Sequence, residues 1–222
     1  MHITVVGTAH VGSSADVFES IAKLHLSGLR RVAHATFGRG VFWRQVRGCK
    51  PIRLDRSTGF DCCALPFRDR YLDALVFDPP YSARSETSYR AAPQMRRNYG
   101  LTATDIQTHD QLLSLYFRSA REAYRVLRLG GVYVLKTQDA VSRGRQRFTH
   151  IEVALGLEQL GFRMIDLFVL VQRQVLPISR GNRQHYARRN HSYFLVFRKP
   201  LRLRSESGVV RALSLAEKTA PF

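Results

Sequence analysis

Four consecutive residues, Asp78, Pro79, Pro80 and Tyr81, carry the sharpest chemical signal in the chain. Asp78 offers a carboxylate and Pro79 a carbonyl, and the two prolines hold both acceptors in a rigid, extended frame. Tyr81 adds a flat aromatic face. The set suits a planar exocyclic amine. Such a nitrogen is a poor nucleophile because its lone pair is delocalised into the ring, so methylating it requires alignment with an electrophilic methyl group. Asp78 would accept one N–H, the Pro79 carbonyl the other, and Tyr81 would stack on a base drawn out of its duplex. The plain alternative is a kinked Asp-Pro turn with a packing tyrosine.

Other chemistry-bearing residues fall where strands should end. Gly38-Arg39-Gly40 lets the backbone turn sharply and approach a ligand, or forms an ordinary strand-to-helix turn. It is not a phosphate loop, because no Gly-Lys-Ser/Thr follows. Asp55 suits a ribose, bound through both carboxylate oxygens, or a local turn before Ser57, Thr58 and Gly59. Asp61 precedes a further short apolar run.

The elements that must position these residues alternate. Residues 3–6 read as a short strand or extended arm, and 15–26 as a helix capped by Ser13 or Ser14. Strands are expected over 31–36, 51–54 and 62–65, with a helix starting near 41–46. The unbroken apolar run at 74–77 suits a central strand covered on both faces. A helix follows over 109–127, ended by Gly130-Gly131. A strand over 132–137, a helix over 148–160, and strands over 164–172 and 192–197 complete the pattern. This is an α/β arrangement, a mostly parallel sheet with an antiparallel last strand. Ligands in such sheets bind beyond the carboxyl ends of the strands, the rim to which 38–40, 55, 61 and 78–81 all belong.

The 222 residues suffice for one domain, or one domain with a tail. Lys+Arg 35 against Asp+Glu 17 gives a net charge of +18, which favours a polyanionic partner, nucleic acid first. No apolar stretch approaches the roughly 20 residues of a membrane span. The N-terminal sequence lacks the pattern of a signal peptide, so a cytoplasmic location is expected. Cys49, Cys62 and Cys63 read as small buried side chains, with no metal site. From 167 to 205 there is no Asp or Glu, and Arg173, Arg180, Arg183, Arg188 and Arg189 are interleaved with His185, Tyr186 and His191. Arginine beside aromatic residues suits phosphate pairing and base stacking. Lys136 ends a strand at the same rim and would meet phosphate or pair with Asp139. Asn190 and His191 read as turn caps.

Taken together, ATFGRGVFW, the Asp61 to Phe67 run D-x-x-x-L-P-F and DPPY resemble the S-adenosylmethionine-dependent amino-methyltransferases, the N6-adenine and N4-cytosine DNA methylase class. AYRVLRLGGVYVLKTQD, DLFVLVQ and ARRNHSYFLVFRK are similar to its small phage and bacterial members. The resemblance spans about residues 13–199. It implies a class I, Rossmann-like fold with a seven-stranded sheet and S-adenosylmethionine as cofactor. Residues 1–12 would form an N-terminal arm and 200–222 a polar tail, with loops 82–108 and 173–191 facing the substrate. Thr36, Phe37, Gly38 and Gly40 would wrap the methionine part, Asp55 the ribose, and Asp61 and Leu65 the adenine. Asp78, Pro79, Pro80 and Tyr81 would hold the target amine, with adenine N6 in DNA favoured over cytosine N4. Arg84, Lys136, Arg180, Arg183, Arg188 and Arg189 would contact nucleic acid. RNA is the alternative substrate, and a non-catalytic nucleic-acid-binding protein on the same scaffold is a third reading. Two departures stand out. His34 occupies the position where family members carry an acid that holds the cofactor ammonium. No separate target-recognition region fits the chain, so recognition falls to these loops, to a second subunit in a homodimer, or to a specificity partner.

Overall fold

The computed structural model describes residues 5–79, 81, 108–173, 185–187 and 189–201. In chain order the elements are β1 (Ala9–Val11), α1 (Ser14–Ile21), β2 (Val32–His34), β3 (Ile52–Arg53), β4 (Leu72–Phe77), α2 (His109–Val126), β5 (Leu127–Thr137), β6 (Ala140–Ser142), β7 (Arg145–Arg147), α3 (Thr149–Gln159), β8 (Arg163–Val171) and β9 (His191–Arg198). A seven-stranded sheet runs in the order β1-β8-β9-β5-β4-β2-β3, and β6 and β7 form a separate hairpin. Strand β9 is antiparallel to both of its neighbours, β5 and β8, and every other pairing in the sheet is parallel.

Alternation along β4 explains its central place. Leu75 and Phe77 pack with Leu112, Tyr116 and Ala120 of α2 and with Val153 and Leu157 of α3. Ala74 and Val76 belong to the opposite cluster, with Val17, Phe18 and Ile21 of α1. All six β4 residues are buried, and each large apolar side chain so covered contributes about 1.5–3 kcal/mol. Asp73 anchors the strand's start by accepting from the Arg31 backbone N–H at 2.9 Å and from Arg128 Nε at 2.8 Å.

Several expected boundaries move. A strand lies at Ala9–Val11 and pairs with β8; of the expected strand over 3–6, residues 5–6 form none and 3–4 lie outside the described residues. Ser13, not Ser14, caps α1 in a capping box with Asp16, and the helix gives way to a π-helical turn over Ala22–Leu26. The expected helix at 41–46 is a 3-10 turn, Val41–Arg44. Residues 62–65 form no strand, only an isolated bridge between Asp61 and Ala64. Gly130-Gly131 does not end α2; β5 already begins at Leu127. The pair absorbs a bulge, where Leu72 aligns with Leu127 but Ala74 with Val132. A Cβ on Gly131 would lie 2.8 Å from the Arg128 carbonyl oxygen. No helix among the described residues is long and apolar enough to cross a membrane.

Candidate functional site

Register places the signals on one rim. His34 pairs with Val76 and Phe77 with Leu135, so the chain leaves β2, β4 and β5 side by side. After β2 the backbone is pinned: Phe37 N–H donates to the Leu54 carbonyl at 2.9 Å and Gly40 N–H to the Phe37 carbonyl at 2.8 Å. Gly38 and Gly40 take φ of 50° and 65°, left-handed values that glycine adopts without strain. A Cβ on Gly40 would also lie 2.6 Å from the Phe37 ring.

Asp55 ties this turn to the next strand end. Its Oδ2 accepts from Gly38 N–H at 2.8 Å, and its Oδ1 from the Ser57 N–H at 2.9 Å and hydroxyl at 2.7 Å. Asp55 is thus the local turn cap, and it also lines the cleft. Burial works against its charge, but the bonds from Ser57 and Gly38 outweigh it and hold the carboxyl below its usual value.

The glycine turn also joins the Asp78 segment directly. Asp78 N–H donates to Thr36 Oγ1 at 2.7 Å. The Asp78 Oδ1 atom is buried and has no hydrogen-bond partner among the described residues. Among the described residues Lys136 pairs with it, its Nζ 3.9 Å from Oδ1. Burial pushes the Asp78 carboxyl above its ordinary value, against the opposing pull of Lys136 and a hydrogen bond from Tyr81.

Lys136, expected to reach phosphate, turns inward instead. It is 7% exposed. Its ammonium donates to Ser14 Oγ at 3.1 Å and to Tyr81 Oη at 3.0 Å, and sits 5.0–5.5 Å from the Phe42, Tyr81 and Phe194 ring centres. Asp139, its other expected partner, pairs with His150 Nδ1 at 2.7 Å. Lys136 therefore fixes Tyr81 beside Asp78 and ties both to the start of α1.

A cleft of about 520 Å³ opens at this rim, lined by Thr36, Asp55, Asp61, Phe77, Pro79 and Arg118 among others. Cys62 and Cys63, expected as core side chains, are only partly buried and line it too. Cys62, Cys63 and Asp61 each bring one ligand atom within 4.8 Å of the others. Asp61 Oδ1 accepts from Cys63 N–H at 2.8 Å. Leu65 does not join the cleft lining. Its side chain is in the core, its N–H donates to Glu122 Oε1 at 2.7 Å, and its carbonyl accepts from Arg125. Arg125 also binds the Phe67 carbonyl and Asp69, so α2 clamps this wall in place.

His34 behaves as a core residue. Its ring stacks on Phe42 with centroids 5.4 Å apart. Burial lowers its pKa to about 3, against the pull of Asp55, so the ring is neutral. Trp43 Nε1–H donates to Nδ1 at 2.9 Å, which leaves the ring proton on Nε2. That N–H is buried with no partner among the described residues.

Pro80, Arg84, Arg180, Arg183 and Arg188 lie outside the described residues. Arg189 donates to Gln146 Oε1 at 2.6 Å, on the β6–β7 hairpin. His191 does more than cap a turn: its Nε2 meets Tyr193 Oη at 2.9 Å, and Tyr193 stacks on His150 at 4.0 Å. Sequence reasoning missed Ser14, Trp43, Arg118 and the Asp139–His150 pair. The spacing of Asp139 just past Lys136 was the only signal for the pair, and it pointed to the wrong partner.

Sequence comparison matches no family model and no curated protein. Among solved structures, the "putative methyltransferase" of Bacillus halodurans C-125 superimposes with a TM-score of 0.52 at 15% identity, covering 85% of this chain and 100% of that one. The fold is that of the class I methyltransferases. A "putative DNA modification methylase" of Thermus thermophilus, crystallised with S-adenosyl-L-methionine, gives a TM-score of 0.42 at 19% identity over 79% of this chain and 58% of that one. TrmN from Thermus thermophilus gives 0.45 at 15% identity, over 84% and 50%. The chain spans 58% and 50% of the length of these two Thermus proteins.

Proposed function

We propose that the chain transfers a methyl group from S-adenosylmethionine to the exocyclic amine of a nucleobase, adenine N6 in DNA first. The observation that carries this reading is the buried Asp78 Oδ1, an acceptor without a donor among the described residues, in a segment tied by Thr36 to a glycine turn. Leaving such an acceptor unpaired costs about 1–3 kcal/mol, which an incoming amine N–H recovers.

The residues fit the cofactor on three counts. Gly38 and Gly40 hold left-handed backbone and Gly40 has no room for a side chain, Asp55 presents an ionised carboxylate to the cleft, and the rim is that of a class I methyltransferase sheet. When bound, S-adenosylmethionine supplies a sulfonium-activated methyl group. Gly38 and Gly40 leave the backbone bare for the methionine part, Asp55 takes a ribose hydroxyl, and Asp61 takes the adenine amine. Asp78 accepts one N–H of the target and Pro79 the other, which orients the nitrogen lone pair toward the methyl carbon. Tyr81, held by Lys136, stacks on the base. The net charge of +18 supports a nucleic-acid substrate.

The test is methyl transfer from radiolabelled S-adenosylmethionine to DNA and to total RNA, followed by digestion to nucleosides. Label in N6-methyladenine from DNA is expected, and Asp78→Ala should abolish it while calorimetry shows cofactor binding unchanged. Full activity in that variant refutes the role of Asp78; label in RNA alone moves the substrate to RNA.

A further inference from the structure

The β6–β7 hairpin was not among the expected nucleic-acid contacts. It starts at Ala140, four residues past Lys136, so its first Cα lies within about 14 Å of the Cα of the residue that holds Tyr81. Its turn is Arg143-Gly144, with φ of 48° and 74°. Arg143 and Arg145 are exposed and have no hydrogen-bond or ion-pair partner among the described residues. Arg147 Nε is buried without a partner among the described residues. From 140 to 151 there is no acidic residue, and Asp139, just before, is already bonded to His150.

Two exposed aromatic rings belong to this surface, Tyr186 at the turn and Phe148 at the residue after β7. Phe148 is 52% exposed, and Tyr186 is 42% exposed. Tyr186 Oη donates to the Gly144 carbonyl at 2.6 Å, and Arg189 reaches Gln146, so the hairpin and the segment before β9 form one surface. Exposed rings and guanidinium groups on one surface match the stacking bases and phosphates of a nucleic-acid strand.

We infer that the β6–β7 hairpin, with Phe148 and Tyr186, binds a single-stranded stretch of the substrate nucleic acid beside the target base. This rests on the methyltransferase reading for its substrate, but the surface is distinct from the cleft. Arg143 and Arg145 would take phosphates and the two rings would take bases. A paired duplex offers no free base faces, so the surface prefers an opened or unpaired strand.

The experiment compares the whole protein with Arg143→Ala/Arg145→Ala and with Phe148→Ala. Fluorescence anisotropy reads binding to a single-stranded DNA of about 12 nucleotides, within the usual site-size range, and to its duplex across a salt series. Alanine keeps a Cβ at position 143, so turn strain is unchanged. The double variant should bind the single strand about 10-fold or more weakly, and its log K against log salt slope should fall by about 1.4, two phosphates at about 0.7 each. Phe148→Ala should weaken binding with the slope unchanged. Arg143→Lys/Arg145→Lys should restore the slope. Unchanged affinity and slope in the double variant overturn the inference, and wild-type methyl transfer in the same preparation then leaves the methyltransferase reading standing. Strand binding that depends on the hairpin, with no methyl transfer to any nucleic acid, supports this surface and sinks that reading. Equal affinity for strand and duplex also overturns the inference.

Discussion

Lys136→Met isolates the electrostatic part of the site. Lys136 Nζ lies 3.9 Å from Asp78 Oδ1, with side chains 8% and 16% exposed. At an effective dielectric of about 20 the attraction at that distance is about 4 kcal/mol. That is about 3 pKa units, and relaxation of the site reduces it to about 1–3. The sign follows from the form that works. On the proposed reading, only the ionised form keeps both Asp78 oxygens as acceptors for the target N–H, and burial already holds the carboxyl above its ordinary value. Activity is therefore lost as pH falls through that raised value. Removing the cation raises it further, so the acid limb of kcat/KM should move to higher pH by about 1–3 units. Methyl transfer to a nucleic-acid substrate is the assay, followed from about pH 5 to 9. Tyr81→Phe is the comparison: it removes the hydroxyl that accepts from Lys136, and with it the Tyr81 hydrogen bond to Asp78, but keeps the cation, so its acid limb should move up less than that of Lys136→Met. An acid limb that stays in place while the plateau falls refutes the electrostatic role, and leaves Lys136 as a support for Tyr81 alone.

Two further perturbations probe the frame. Thr36→Val keeps the side-chain volume but removes the acceptor of Asp78 N–H at 2.7 Å; kcat should fall about 10- to 100-fold, an effect of about 1–3 kcal/mol, with cofactor affinity nearly unchanged by calorimetry. Asp73→Asn tests the start of β4: hydrogen bonds from Arg31, Arg128 and Arg30 overcome the cost of burial and hold Asp73 below the ordinary carboxylate range. Its stabilising effect is thus fully present above the unfolded value of about 3.9 and lost as pH falls toward the folded value. The variant should lose about 2–4 kcal/mol in urea unfolding at about pH 7 and less at about pH 3; an equal deficit at both would refute it.

Residues whose role follows from local pattern were legible in the sequence. The 74–77 run in β4 is apolar without a break, which suits a strand covered on both faces, and the structure places Leu75 and Val76 in opposite clusters. The glycine turn and the strand ends follow from the same alternation. Residues defined by distant partners were not legible. Lys136 looks like a rim cation because nothing near it in sequence says that Ser14, 122 positions away, and the ring of Phe42 will enclose it. Leu65 sits in a run that resembles a cofactor loop, yet Glu122 and Arg125 of α2 take its backbone. The Gly130-Gly131 pair reads as a helix stop, since glycine's permissiveness serves a cap and a bulge alike.

His34 shows how the two kinds of information combine. From the resemblance alone, a histidine in place of an acid removes the partner of the cofactor ammonium. The structure narrows what replaces it. A ring with its pKa lowered to about 3 carries no charge at neutral pH, so it neither attracts nor repels that ammonium strongly. Trp43 occupies Nδ1, so the only polar atom left is an N–H donor, which suits a carboxylate rather than an ammonium. The polarity at this position is inverted, not merely lost. On the proposed reading the anchoring would then fall to Asp55, already ionised and held by Gly38 and Ser57. Because Asp55 grips the glycine turn and Thr36 of that turn grips Asp78, whatever Asp55 binds is registered to the acceptor that would hold the amine. Positioning across one rim, rather than the charge at residue 34, is what this site has to work with.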